Sequence, residues 1–174
     1  MSITNKKQHG VGVIRLLFLT LLVLIGLVVL FYIYTELNKA YWDRKVRALC
    51  EKDGGVTVYE TVELTIDEYI KNDGINGVIR VPSESAAYAK NYEYLRSYNE
   101  EVIHKKNPIV VRRESVIYRK SDKKRLGKSV YYSRSGGDFP TIISHPSGFS
   151  CKDVSGINFD IEGAIFFVAE GESK

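Results

Sequence analysis

The chain of 174 residues is 44% hydrophobic and 26% charged, with 25 Lys and Arg, 21 Asp and Glu, three His and two Cys. That length suffices for one domain with its own core beside a targeting segment. The formal charge of +4 is no argument for nucleic acid: the first 35 residues hold three basic groups and no acid, leaving 22 basic against 21 acidic residues beyond them, and a nucleic-acid partner is not expected.

A short tail, residues 1–15, leads into nineteen uncharged residues, 16–34 (LLFLTLLVLIGLVVLFYIY). As a helix this run measures roughly 28 Å, close to the hydrocarbon thickness of a bilayer. A cleaved secretory signal has a shorter apolar region and a small-x-small cleavage site. Here the run ends in Phe31, Tyr32, Ile33 and Tyr34. Cys50 follows Arg47-Ala48-Leu49, which does not suit a lipid-attachment box. The segment is therefore expected to be a retained signal anchor, with Phe31, Tyr32, Tyr34, Tyr41 and Trp42 at the membrane boundary. Lys6, Lys7 and Arg15 precede it, while Lys39, Arg44, Lys45 and Arg47 follow it, so the positive-inside rule gives no orientation. Both cysteines, Cys50 and Cys151, lie beyond the span. A single pair there fits a disulfide in an oxidising compartment; two separate buried thiols are the alternative.

The remainder, residues 35–174, is expected to be a small α+β domain. Residues 35–52 contain no Gly or Pro, and Leu37, Tyr41, Val46 and Leu49 approximate a helical stripe. The anchor helix should thus run on to Cys50 and stop at Gly54-Gly55. Residues 56–64 (VTVYETVEL) read as one strand, 66–71 as a helical turn, 78–81 as a strand and 84–91 as a thin helix. An antiparallel meander follows: 92–103 extended, 109–120 (IVVRRESVIYRK) a strand, Ser121-Asp122-Lys123-Lys124 a turn, and 125–134 the returning strand. Beyond the Ser135–Asp138 break, only 161–168 reads as a strand, and 170–174 as a frayed end. The fold expected is a twisted antiparallel sheet with the post-membrane helix packed on it.

The block Trp42-Asp43-x-Lys45-Val46-x-x-Leu49-Cys50-x-Lys52-Asp53-Gly54-Gly55-x-x-Val58-Tyr59-Glu60 resembles the signature of a family of short proteobacterial proteins with an N-terminal membrane or lipoprotein-type segment. Arg119-Lys120-Ser121-Asp122, Leu126-Gly127, Ser133–Asp138 and Cys151 are similar as well, so the likeness covers roughly residues 42–151. Lys123-Lys124 stand where the family usually has glycine, and Ser135 replaces another glycine. The resemblance implies a bacterial, envelope-facing setting and a Cys50–Cys151 pairing. No activity attaches to the family, so no functional residue carries over. With the cysteine placement it gives the expected location: single-pass in the bacterial inner membrane, with the C-terminal domain periplasmic.

Little in the sequence points to catalysis, and no cofactor or metal is expected. His9, His104 and His145 lack metal-pair spacing; a cysteine–histidine dyad would need partners that meet only in space. Gly54-Gly55 stands between a helix and a strand, the wrong order for a phosphate loop, and Gly136-Gly137 follows a strand but leads into Phe139-Pro140 instead of a helix; both read as positions of positive φ or close approach. Residues 104–134 carry eleven basic residues against Glu114 and Asp122. Arg112, Arg113, Arg119, Lys120, Lys123, Lys124, Arg125 and Lys128 are the candidate contacts for anionic headgroups or an acidic protein. Adjacent Arg112 and Arg113 must face opposite ways, so this charge wraps the hairpin. A solvated edge hairpin balanced by the protein's own acids is the alternative. The expectation is a non-enzymatic envelope interaction or structural module, against an enzyme of unrecognised type such as a thiol hydrolase using Cys50 or Cys151.

Overall fold

A computed structural model describes residues 5–72, 79–139 and 145–168. Its first element, α1 (Asn5–Asp53), is one unbroken helix of 49 residues. At 1.5 Å per residue it is about 73 Å long, and it is the helix, among the described residues, long and apolar enough to cross a membrane. Every residue from Gly12 to Tyr34 is exposed. Burial begins at Thr35, 7% exposed, and continues through Val46 and Cys50. At 3.6 residues per turn, Thr35, Trp42, Val46, Cys50 and Asp53 fall on one side of the helix.

That line corrects the expected stripe. Leu37 and Tyr41 are 64% and 56% exposed, because they lie about 200–240° around the helix from Thr35. Hydrophobicity alone placed them with Val46 and Leu49; the sheet uses the other side.

Strands β1 (Gly55–Val58), β2 (Val62–Leu64), β3 (Tyr94–His104), β4 (Ile109–Arg119), β5 (Arg125–Ser135), β6 (Gly148–Ser150) and β7 (Phe166–Val168) are joined by two short helices, α2 (Ile66–Lys71) and α3 (Ile161–Ile165). The main sheet is antiparallel in the order β1-β5-β4-β3, with β6 also on β5. The meander forms because three eleven-residue strands are joined by two short turns, and β-branched and aromatic residues favour extended backbone. The protein is α+β: this sheet carries α1 on one face and α3 on the other.

Several expected elements differ. Residues 56–64 do not make one strand. Tyr59 and Glu60 both donate their amides to the Leu126 carbonyl, turning the chain off β5, and β2 then pairs in parallel with β7 in a separate two-stranded sheet. Residues 161–168 are half helix: the Asp160 carboxylate caps α3 by accepting from the Gly163 amide at 2.9 Å, a stronger local signal than the apolar run. Residues 84–91 form turns ending in a 3-10 segment, Ala89–Asn91, where Ala89 is the buried residue; one buried side chain is too little to hold a helix. Ile79 and Val81 are buried without joining a strand. Gly74, Gly77, Val78 and residues 170–174 lie outside the described residues. The turn expected at 66–71 is α2, held by a capping box between Thr65 and Glu68.

Two cores lie on opposite faces of the sheet. Val46, Cys50, Val110, Val130, Tyr132, Cys151 and Val154 form the one under α1. Leu64, Ile79, Val81, Ile117, Leu126, Ile161, Ile165 and Phe166 form the other. Strand alternation sets this division, since Val110, Val130 and Tyr132 are an even number of residues from one another along the paired register, while Ile117 and Gly127 stand opposite each other on the reverse face. Gly127 has a packing reason: a Cβ there would lie 2.8 Å from Ile165 Cδ1 and 3.0 Å from the Thr57 carbonyl oxygen.

Cys50 and Cys151 form a disulfide across 101 residues, with their Cα atoms 5.4 Å apart. The edge of β5 is shared by β1, up to Val130, and β6, from Ser133. Between them Tyr132 donates its amide to Cys151 Sγ at 3.2 Å, so the bridge fills the gap in the edge. A loop of this size is worth up to about 4.7 kcal/mol in the chain-entropy account. Cys50→Ala/Cys151→Ala is expected to lose about 3–5 kcal/mol, read as a lower urea midpoint; an unchanged midpoint would show that packing alone holds α1.

Candidate functional site

The residues that join α1 to the sheet make the densest polar cluster. Arg134, 3% exposed, pairs through Nε with Asp43 of α1 and donates through Nη1 to the Gly136 carbonyl. Its guanidinium also reaches Ser147 Oγ at 3.2 and 3.3 Å. One turn of helix beyond Cys50, Asp53 Oδ2 accepts from the Tyr132 hydroxyl at 2.9 Å. That hydroxyl accepts from Arg112 Nε at 3.2 Å, and Arg112 Nη2 lies 2.6 Å from Glu114 and 3.4 Å from Asp53. Lys128 Nζ is 3.8 Å from Asp53. Burial opposes ionisation of Asp53, but the Tyr132 hydroxyl and the Lys128 and Arg112 cations overcome it and hold its carboxyl below the usual range. Glu114 and Tyr132 in turn hold Arg112 firmly protonated despite its partial burial.

The candidate basic residues are mostly matched by acids. Arg113, on the reverse face from Arg112, pairs with Glu100 at 2.6 Å. Arg119 lies 2.5 Å from Glu60 and 3.0 Å from Asp122, and Lys124 pairs with Glu60 as well. Lys120 Nζ donates to the Lys90 carbonyl at 2.7 Å, and Lys123 Nζ sits 5.3 Å from the Tyr118 ring centroid. Arg125 is exposed and has no ion pair among the described residues. These side chains do not converge on a common point. They run along the hairpin, and Lys120, Lys123, Lys124 and Arg125 gather at its far turn.

The other end of the sheet meets the helix where its apolar run stops. Asn38 Nδ2 approaches the Asn107 carbonyl at 3.5 Å, and the Trp42 and His104 rings are 4.2 Å apart. Asn107 Oδ1 accepts from the Gly137 amide at 2.7 Å, an approach that the φ of +92° at Gly137 permits. Lys39 lies 3.6 Å from Asp138. Beyond it the Phe139 ring reaches Phe31 and Tyr32, at 5.5 and 6.1 Å between centroids.

Catalytic groupings are sparse. Both cysteines are consumed in the bridge, so a thiol nucleophile would require its reduction. His104 Nδ1 is hydrogen-bonded to the Pro108 carbonyl at 2.6 Å, and His145 is exposed. No group of three metal-ligating side chains occurs among the described residues. A cleft of about 610 Å³ is lined by Lys71, Arg80, Val81, Pro82 and Tyr88. A groove of about 510 Å³ on the reverse face is lined by Arg96, Tyr98, Arg113, Tyr131 and Lys152. Both are open, cationic and aromatic, and among the described residues neither pairs a nucleophile with a base.

Sequence reasoning missed the roles of Asp43, Asp53 and Tyr132. Asp43 and Asp53 belong to the Trp42–Glu60 block, and their ten-residue separation leaves them about 80° apart around the helix, a weak signal of a shared half.

Arg134→Met is expected to destabilise by about 3 kcal/mol, the low end for breaking a buried pair because Asp43 keeps some access to water; chemical denaturation reads it. For Asp53 the native pKa lies below the unfolded one, so its contribution is complete above the usual carboxylate range and is lost as pH falls through the native value. Asp53→Asn should therefore flatten the acid limb of stability against pH below about 5; an unaltered limb would remove Asp53 from that role.

No protein-family model matches this chain, and no curated protein or solved structure is significantly similar to it.

Proposed function

We propose that this is a single-pass protein of the bacterial inner membrane whose residues 35–174 form a periplasmic, non-enzymatic interaction module. The observation that carries this reading is the division of α1: one continuous helix is exposed from Gly12 and uncharged from Leu16 up to Tyr34, and is covered on one side by the sheet from Thr35 onward. An exposed apolar helix of this length demands a non-aqueous surrounding. The Cys50–Cys151 bridge suits an oxidising compartment, and with the family resemblance it supports the periplasmic side.

The helix and the sheet also give the domain a direction. β4 and β5 run beside α1, so the β4–β5 turn lies the length of an eleven-residue strand, about 35 Å, beyond the end that meets Asn38. At that height Lys120, Lys123, Lys124 and Arg125 are several Debye lengths from a bilayer. Their charge suits an acidic protein partner better than the headgroups of the protein's own membrane.

The test is sidedness. C-terminal fusions of the full chain to alkaline phosphatase and to a cytoplasm-dependent fluorescent protein should give active phosphatase and a dark fluorophore. The reverse pattern would overturn the periplasmic assignment, and a fully soluble fusion would overturn the anchor.

A further inference from the structure

The geometry points to a second, non-spanning membrane contact: the β3–β4 turn, with Lys105 and Lys106 flanked by Ile103 and Ile109, rests on the anionic headgroups of the bilayer that α1 crosses. This rests on the anchor reading above. It places the lipid-facing charge at the opposite end of the hairpin from the turn rich in basic residues.

Height is the first argument. The turn is tied to α1 at Asn38 and Trp42 through Asn107 and His104. Those helix positions lie about 6–12 Å beyond Tyr34 at 1.5 Å per residue. The headgroup layer extends roughly 5–8 Å outside the hydrocarbon, so the turn is held at its outer edge, within reach of a lysine side chain. Phe139, packed on Phe31 and Tyr32, brings the chain after β5 down to the apolar span itself.

Composition is the second. Val102, Ile103 and Ile109 are 41%, 40% and 48% exposed, next to Lys105 and Lys106, which are exposed and have no ion pair among the described residues. Exposed branched aliphatics beside unpaired lysines suit a surface that is apolar below and anionic above. On the helix, Leu37 and Tyr41 are exposed at the same height, with Lys45 over the Tyr41 and Trp42 rings. The acids at this end are partly neutralised: Glu36 and Asp138 share Lys39, and Glu100 is paired with Arg113. Glu101, one residue nearer the turn than Glu100, is exposed and has no ion pair among the described residues, and stands against the two lysines as a single acid. The side of α1 turned away from the sheet thus forms an interfacial belt, which accounts for Leu37 and Tyr41 being left outside the core.

Full-length protein carrying an environment-sensitive fluorophore at Lys106→Cys or Lys123→Cys tests this after reconstitution into vesicles of phosphatidylcholine alone or with phosphatidylglycerol. A headgroup-located spin label should quench the probe at 106 several-fold more than at 123, and more strongly in the anionic vesicles. Lys105→Glu should weaken quenching at 106. Insertion of seven helical residues between Tyr34 and Thr35 lifts the domain about 10 Å on the same helix face and should abolish it. Equal quenching at the two sites in protein that floats with the vesicles would overturn this contact alone. Failure to float would overturn both it and the anchor.

Discussion

The structure depends on one coupling, the seating of residues 35–53 of α1 on β4 and β5. Apolar contact does part of it, since Val46 and Cys50 are buried against Val110, Val130 and Tyr132. Direction and rotation come from polar pairs. Asp43 meets Arg134 and Asp53 meets Tyr132, so the helix is held at two heights on one side. The disulfide lies between these clamps and reaches an otherwise unpaired strand amide. Apolar contact alone would tolerate a slide or roll of the helix; the polar pairs do not, because buried Arg134 and Tyr132 would lose their carboxylate partners.

This arrangement also accounts for the charge distribution. Eleven basic residues in one hairpin would repel one another if they shared a face. Strand alternation sends Arg112 and Arg113 to different faces, and each meets acids there: Glu114 of the same strand and Asp53 of α1 on one side, Glu100 of β3 on the other. Much of the segment's charge is thereby neutralised within the domain. Among the described residues, the segment's charges without an ion pair lie near the two ends of the sheet, where they can address different surfaces.

The larger elements were legible because their signals are local. The uncharged run, the long β-branched strands and the Ser-Asp turn specify the helix and the meander with little help from distant residues. Gly54-Gly55 ends the helix as read, with a φ of +99° at Gly55. The misread segments were those decided at a distance. Residues 59–61 leave the sheet because of a carbonyl at Leu126, and 161–165 become helical through a cap that outweighs an apolar run. For Leu37 and Tyr41 the fault was of another kind: periodicity shows that a helix has an apolar side but not which neighbour that side meets. The polar clamps were hidden for the same reason, since nothing in sequence brings Asp43 to Arg134 across 91 residues.

The helix has no hinge between its exposed and sheet-covered parts: α1 passes from Tyr34 to Thr35 without a break. In a bilayer it is therefore a lever arm. Transmembrane helices tilt by 0–40° as hydrophobic thickness changes, and a rigid arm converts that rotation into sideways travel. With the membrane boundary placed at Tyr34, as proposed, the β4–β5 turn stands about 45 Å away, and a 10° change in tilt would sweep it through roughly 8 Å. On the proposed topology, a local change in bilayer thickness would thus reposition the basic tip of the hairpin.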